Sequence, residues 1–514
     1  MAVSLLWADD EIELLKPHVL FLEGKGYTVD TVTSGNDAID RVREKDFDIV
    51  FLDENMPGLN GLETLSQIKD LYPALPVVMI TKSEEETIME EAIGNKISDY
   101  LIKPVNPNQI LLTLKKILED KRLKSETATS GYQQEFRQIG MQLGSRMDAD
   151  EWVELYKKLV KWELELQDSQ EESMHEIFRM QKTEANQQFC RFVEDNYVDW
   201  VHGEDAPVMS HTLFKHQVAP ALEEGPAYLV LIDNLRFDQW RMIRPILSQW
   251  FRIEDESLYY SILPTATQYS RNAIFSGLMP TEMEKMYPDL WKNDEDEGGK
   301  NQHEEAFLQA QMKRLGLSSK RLGYNKITNL DAGKRLVDQF HELDNNDLNV
   351  IVYNFVDMLS HARTDMKVIR ELADDEAAYR SLTVSWFEHS PLYAMFQKMA
   401  ESGRPVIITT DHGSVHVNHP VKVVGEKSTN SNLRYKRGKQ LGYDAKEVFE
   451  ITDPANVFLP RQHVSTRFIF ARSSDFFVYP NNYNHFVRHY KDTFQHGGIS
   501  MEEMLIPRVK LRTR

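Results

Sequence analysis

Residues 1–119 alternate short apolar runs with amphipathic stretches. The runs at 3–8, 29–32, 49–52, 77–81 and 100–102 predict strands, and the apolar spacing between them predicts helices near 11–25, 35–45, 60–71, 84–93 and 107–120. Strand and helix in regular alternation imply a parallel, doubly wound sheet, whose ligands gather at the carboxyl ends of the strands. After a weakly patterned polar stretch at 121–131 the period is helical as far as His202. Trp152, Leu155, Tyr156, Leu159, Trp162 and Leu166 form a stripe that Ile177, Phe178, Phe189, Phe192, Val193 and Tyr197 continue, with Asp148 placed to start a helix. The stripes are not sustained heptads, so three bundled helices are expected rather than a coiled coil, in a mechanical role between the flanking domains. From 205 onward apolar runs at 228–232, 349–355, 405–409, 468–470 and 504–509 predict strands of a mainly parallel sheet buried on both faces. Polar stretches at 293–302 and 343–349 predict surface loops. The expected architecture is α/β: two doubly wound domains at 1–119 and 205–514, joined by a small helical bundle at 120–204.

Composition narrows the class. At 514 residues the chain is too long for one core, and 41% hydrophobic, 10% aromatic and 27% charged residues describe folded globular protein. The single cysteine, Cys190, allows no internal disulfide, which fits a cytoplasmic location. The first residues lack the basic region of a signal peptide, and no run reaches the ~18 apolar residues of a membrane span, so no membrane insertion is expected. A net charge of −20 opposes non-specific binding of duplex DNA. It leaves room for a short nucleic-acid substrate wherever basic residues concentrate.

Charged residues fall at the expected strand ends. In the first domain Asp9 and Asp10 end the first strand, Asp53 the third, Thr81 the fourth and Lys103 the fifth. Converging carboxylates repel one another unless a cation neutralises them; oxygen ligands suit Mg²⁺, and an Asp beside the metal can take a phosphoryl group. Leu52-Asp53-Glu54-Asn55-Met56-Pro57-Gly58 and Tyr100-Leu101-Ile102-Lys103-Pro104 resemble the signature segments of the receiver domain of two-component response regulators. That resemblance implies Asp53 as phosphoacceptor, and Asp10, Asp53 and the Asn55 carbonyl as Mg²⁺ ligands assisted by Asp9. It also implies phosphoryl contacts from Thr81 and Lys103, with Tyr100 as the aromatic switch.

The C-terminal region carries a second set. Asp233 follows the run at 228–232, Asp357 and His361 that at 351–356, Asp411-His412-Gly413 that at 406–410, and His496-Gly497-Gly498 precedes the last strand. Three Asp and three His are ligands of the kind Zn²⁺ takes, in a number that serves two ions better than one. The adjacent pair Asp411-His412 needs a sharp turn to aim both side chains at metal, which Gly413 permits. Two ions can clamp the attacking and leaving oxygens of a phosphoryl transfer, and Thr265, Thr267 and Ser270 are the candidate hydroxyls. In this order the residues resemble the alkaline phosphatase superfamily, in particular its nucleotide phosphodiesterase and PglZ-type branches. The resemblance implies Asp357, His361 and His496 on one zinc, Asp233, Asp411 and His412 on the other, and Thr267 as nucleophile at the metals. Gln268-Tyr269-Ser270 stands where that family usually has Phe-Pro-Asn, so Ser270 remains a second candidate.

Between residues 421 and 446, Lys422, Lys427, Arg434, Lys436, Arg437, Lys439 and Lys446 face only Glu426 and Asp444, with Tyr435 and Tyr443 interleaved. Such a stretch is either a solvated loop balancing an acidic protein or a surface for phosphates and bases, with Arg434, Lys436, Arg437 and Lys439 as the candidate contacts. Taken together, receiver, helical connector and two-zinc hydrolase resemble PorX-type response regulators of bacteria, which regulate type IX protein secretion. This implies a sensor histidine kinase as phosphodonor, a homodimer on phosphorylation, a zinc-dependent phosphodiesterase acting on linear or cyclic oligonucleotides, and an extracytoplasmic-function sigma factor as partner. The alternative is a non-enzymatic regulator whose zinc-loaded PglZ domain binds a sigma factor or another protein. A DNA-binding regulator should place a basic helix-turn-helix after the receiver, where this chain has an acidic helical segment.

Overall fold

The computed structural model describes residues 3–82, 97–167, 172–294, 296, 298–354, 356–359, 375–426 and 429–514. The chain divides into two compact units, residues 1–131 and 132–514.

In the first unit, β1 (Ser4–Ala8), β2 (Thr28–Val32), β3 (Ile49–Asp53), β4 (Val77–Thr81) and β5 (Asp99–Ile102) form one sheet in the order β2-β1-β3-β4-β5. Every neighbouring pair is parallel. Side chains alternate across a strand, so β1 sends Leu5 and Trp7 into one apolar cluster and Leu6 and Ala8 into the other. Both faces are thus covered, as a parallel sheet requires. The helix Gly61–Leu71 starts with a reciprocal cap: the Asn60 side chain accepts from the Glu63 N–H, and the Glu63 carboxylate from the Asn60 N–H. A Cβ at Gly61 would collide with the Asp53 carbonyl oxygen, so glycine lets this helix approach the end of β3. The helix expected near 84–93 lies outside the described residues.

The second unit begins with the end of the helix Pro107–Leu143, followed by Ala149–Leu166 and Glu172–Val201. Asp148 caps the second through a box with Glu151. The aromatic stripe is buried partly within the bundle, with Trp152 and Phe189 rings 5.5 Å apart, and partly against aromatic residues of the C-terminal domain, with Tyr156 6.1 Å from Phe237 and Trp200 5.1 Å from Tyr260. The helices are therefore packed onto that domain.

The large sheet contains β6 (Ala227–Ile232), β7 (Phe251–Tyr260), β8 (Leu322–Ile327), β9 (Leu348–Tyr353) and β10 (Val406–Thr409). Smaller sheets use β11 (Val415–Val417), β12 (His419–Lys422), β13 (Tyr435–Gly438), β14 (Phe449–Ile451), β15 (Arg467–Phe470), β16 (Asp475–Val478) and β17 (Thr493–Gln495), before β18 (Leu505–Thr513) returns to the large one. Its order is β7-β18-β10-β6-β9-β8, with β10, β6, β9 and β8 parallel and β18 antiparallel to β10 and β7. The whole chain is thus built on two α/β domains. Several expectations need correction. The run at 468–470 lies in the antiparallel sheet β13-β15-β14. β7 and β8 were not expected, because neither is a continuous apolar run. The stretch 343–349 is a 3-10 turn leading into β9, with Leu343 and Asn349 buried, rather than an exposed loop. Among the described residues no helix is long and apolar enough to cross a membrane.

Candidate metal centres

In the first unit β1 and β3 are neighbours, so Asp9 and Asp53 emerge side by side. Lys103 Nζ bridges them, 2.9 Å from Asp9 Oδ2 and 2.7 Å from Asp53 Oδ1. Asp9, Asp10 and Asp53 each offer an oxygen within 4.8 Å of the others, Asp10 from an exposed position. Burial pushes the Asp53 carboxyl above its usual range; Lys103 opposes this, while Asp9 and Asp10 add to it. Burial also works against the Lys103 ammonium, but its bonds to Asp53 and Asp9 hold it above the ordinary lysine value. Three acids with one lysine leave excess negative charge at an oxygen-only site, which fits a hard divalent cation. Thr81 is buried and its hydroxyl donates to the Glu54 carboxylate. Tyr100 is 40% exposed on β5, and Asn55 is exposed on the turn after β3.

The second centre follows from the order of the large sheet. β10, β6 and β9 are adjacent and in register, so Asp411, Asp233 and Asp357 leave the same edge. Asp233, Asp411 and His412 are buried, with ligand atoms within 4.8 Å of one another. The His412 ring lies 3.0 Å from the Gly413 carbonyl through Nδ1. A carbonyl only accepts, so Nδ1 carries a proton, and Nε2 faces the Thr267 hydroxyl at 3.1 Å and Asp233 Oδ1 at 3.9 Å. His496 repeats the arrangement. Its Nδ1 meets the Thr265 carbonyl at 3.1 Å and its Nε2 lies 3.6 Å from Asp357 Oδ1, with the two imidazoles stacked 4.1 Å apart. His361, the remaining expected ligand, lies outside the described residues.

Thr267 is the first residue of the helix Thr267–Ser276, whereas Ser270 is buried within it and donates to the Ala266 carbonyl at 2.8 Å. Thr265 is also enclosed, donating to the Gly498 carbonyl and accepting from the Gly497 N–H. Of the three hydroxyls, Thr267 is the one facing His412. Asp233 Oδ1 is buried with no hydrogen-bond partner among the described residues, which fits an oxygen that would ligate a cation. Burial pushes the Asp233 carboxyl well above its usual range against the pull of Arg271, and Asp411 reinforces the rise. Burial opposes ionisation of Asp411 as well, but Arg271, His412 and the Asn234 N–H outweigh it and hold that carboxyl below its usual range.

Sequence reading missed two residues here. Asn234 adopts a left-handed backbone, φ 62°, directing its N–H to Asp411 Oδ1 and its side-chain amide to Asp357 Oδ1. Arg271, fully buried, contacts Asp233 and Asp411. Only its position one turn after Thr267 hinted at this. Gly413 is required for another reason than the expected turn: a Cβ there would strike the Glu502 carbonyl oxygen.

The basic stretch differs from the expected exposed loop. Arg434 is fully buried and its fork is taken up by Glu503, at 3.2 and 2.6 Å, so it serves the fold rather than a ligand. Lys436 is buried on β13, donates to the Asn430 carbonyl at 2.8 Å, and is depressed by burial to about 8. Arg437 is nearly enclosed, 3.9 Å from Asp294, while Lys439 is exposed. The Tyr269 and Tyr435 rings, 6.0 Å apart, pack β13 against the Thr267 helix. Lys427 lies outside the described residues.

Comparison with known proteins agrees with this layout. Residues 5–115 match the response regulator receiver domain, 122–201 the PorX response regulator linker domain, and 213–511 the BREX system PglZ alkaline phosphatase-like domain. Among curated relatives, the transcriptional regulatory protein ZraR of Klebsiella oxytoca is 35% identical over 138 residues, 27% of this chain and 31% of ZraR. The transcriptional regulatory protein ResD of Bacillus subtilis is 32% identical over 115 residues, 22% of this chain and 48% of ResD. The chain therefore spans less than half the length of these curated relatives. Among solved structures, a CheY-like receiver domain protein from Methanospirillum hungatei is 23% identical and covers 23% of this chain and 96% of its own, with a TM-score of 0.23. Chemotaxis protein CheY4 of Vibrio cholerae is 27% identical and covers 23% and 99%, with a TM-score of 0.22. With more than half its length in the PglZ match, the chain belongs to the PglZ alkaline phosphatase-like family, here preceded by a response regulator receiver and a PorX-type linker.

Proposed function

We propose that the chain is a cytoplasmic two-component response regulator whose PglZ domain is a zinc-dependent phosphodiesterase acting on linear or cyclic oligonucleotides, in the control of type IX protein secretion. The observation that carries the metal centre is the pair of imidazoles. With Nδ1 of His412 and His496 turned to backbone carbonyls, both Nε2 atoms point toward the Asp233, Asp357 and Asp411 carboxylates, the usual arrangement of histidines that ligate metal. Asp233, Asp411 and His412 would hold one zinc; Asp357, His361 and His496 would hold the other. Bound there, zinc would lower the pKa of the Thr267 hydroxyl and offset charge on the phosphate.

The chain's own groups do the rest. Thr267 opens its helix, so the positive end of the helix dipole faces an incoming phosphate. Thr267 Oγ1 attacks the phosphorus as the opposite alcohol leaves, and water then releases the product from the threonine. Lys439, exposed just after β13, would be a contact for the phosphates of a nucleotide substrate. In the receiver, a sensor histidine kinase would supply the phosphoryl group to Asp53 with Mg²⁺ held by Asp10, Asp53 and the Asn55 carbonyl. Thr81 and Lys103 would contact the phosphoryl group and Tyr100 would report its arrival. Phosphorylation would favour a homodimer, and an extracytoplasmic-function sigma factor would be a further partner. Elemental analysis of the purified full chain tests the metal centre: about two zinc per chain are expected, and a chain that takes up none refutes it.

A further inference from the structure

Arg271 stands one helical turn behind Thr267 and is fully buried. Its guanidinium meets groups from four other places in the fold: the Asp233 carboxylate after β6, Asn354 Oδ1 after β9 at 3.2 Å, Asp411 Oδ2 after β10 at 2.9 Å, and Glu304 Oε1 at 3.5 Å. Glu304, itself buried, begins the helix Glu304–Arg314 and accepts from Lys326 Nζ at 2.8 Å and from the Tyr324 hydroxyl. Lys326 also donates to the Asn301 carbonyl at 2.8 Å, and the Asn301 amide donates to the Thr267 carbonyl at 3.0 Å. The chain of contacts therefore closes on the nucleophile from which it started.

A buried, paired charge of this kind adds little stability over apolar packing. Each ion pair or hydrogen bond to a carboxylate restricts its rotation. Arg271 takes Asp233 Oδ2 and leaves Oδ1 buried and facing His412 Nε2, while Asp411 Oδ1 is held by the N–H groups of Asn234 and His412 and Oδ2 by Arg271. We propose that Arg271 is a positioning residue. Its planar fork fixes the carboxylate rotations of Asp233 and Asp411 for one zinc, and the Glu304–Lys326–Asn301 contacts keep those ligands in step with Thr267. The inference rests on the metal-centre reading above.

Two physical roles predict opposite signs. A guanidinium that merely neutralised two acids would compete with zinc, and its removal would tighten binding. One that orients the ligands makes its removal weaken binding, typically 10–100-fold for a partner of a metal ligand. The test is zinc affinity of the full chain by competition with a fluorescent chelator, for wild type, Arg271→Met and Arg271→Lys, with unfolding midpoints of the metal-free proteins alongside. One of the two zinc equivalents should weaken about 10–100-fold in Arg271→Met. Arg271→Lys keeps the charge but not the fork, so it should weaken the same equivalent to a lesser degree; it also serves where the methionine variant does not fold. Unchanged or tighter zinc binding in either folded variant, even with a lowered unfolding midpoint, overturns the proposal while leaving the metal centre standing. A wild type that takes up no zinc overturns both.

Discussion

At the scale of the residue, the hydroxyls separate by what each already does. Ser270 donates to the carbonyl one turn back and is sealed in the helix, whereas Thr267 is at the helix start facing His412. Ser270→Ala should therefore keep wild-type diester turnover and change stability by no more than about 1 kcal/mol, the net worth of one such bond. A rate that collapsed in this variant, with folding intact, would reassign the nucleophile. The proposed aspartate ligands were legible in the sequence because each sits at the end of an apolar run, and strand ends are where an α/β sheet collects its chemistry. Arg271 and Asn234 were not legible. A buried arginine within a helix looks like any surface arginine until the strands on which its partners sit are in place, and a left-handed asparagine carries no spacing signal. Arg434 misled for the same reason: a run of basic residues reads as a solvated surface, and nothing in its spacing announces Glu503, 69 positions later, as its partner.

At the scale of the element, the apolar stripe of the helices showed that one face is buried but not against what. The structure answers with Phe237 and Tyr260 of the C-terminal domain. β7 was hidden because its sequence is acidic: it is a sheet edge, joined to β18 by pairs such as Arg508–Asp255 at 2.5 Å and Lys510–Glu254 at 2.9 Å. The short helix Ser210–Leu213 packs against the Thr267 helix and carries His211, whose Nδ1 is buried with no hydrogen-bond partner among the described residues. Burial lowers this histidine from 6.5 to about 4. Between those values the unfolded chain binds a proton that the folded chain does not. The stability is therefore complete above pH 6.5 and falls as pH drops toward 4, by roughly 3 kcal/mol in all. Urea midpoints at pH 7 and pH 4.5 should differ less in His211→Gln than in wild type; an identical pH dependence would show that His211 is not the group responsible.

At the scale of the molecule, the proposed phosphorylation site and the proposed hydrolytic site occupy separate compact units of one acidic chain. Part of the −20 charge is functional in this account, since Asp9, Asp10, Asp53, Asp233, Asp357 and Asp411 are the proposed cation ligands. Phosphorylation can shift an oligomeric equilibrium only by the difference in free energy it creates between the two states. Light scattering with a beryllofluoride phosphoryl mimic and Mg²⁺ should move the mass at micromolar protein from monomer toward dimer, and a mass that does not respond would remove dimerisation from the account. The central claim, that Thr267 and its neighbouring Asp and His residues form a zinc phosphodiesterase, is tested most directly by hydrolysis of bis-p-nitrophenyl phosphate by zinc-loaded wild type and Thr267→Ala. The account predicts turnover by the wild type that chelation abolishes and zinc restores, and a rate about a thousandfold or more lower in Thr267→Ala; equal rates in the two proteins would contradict it.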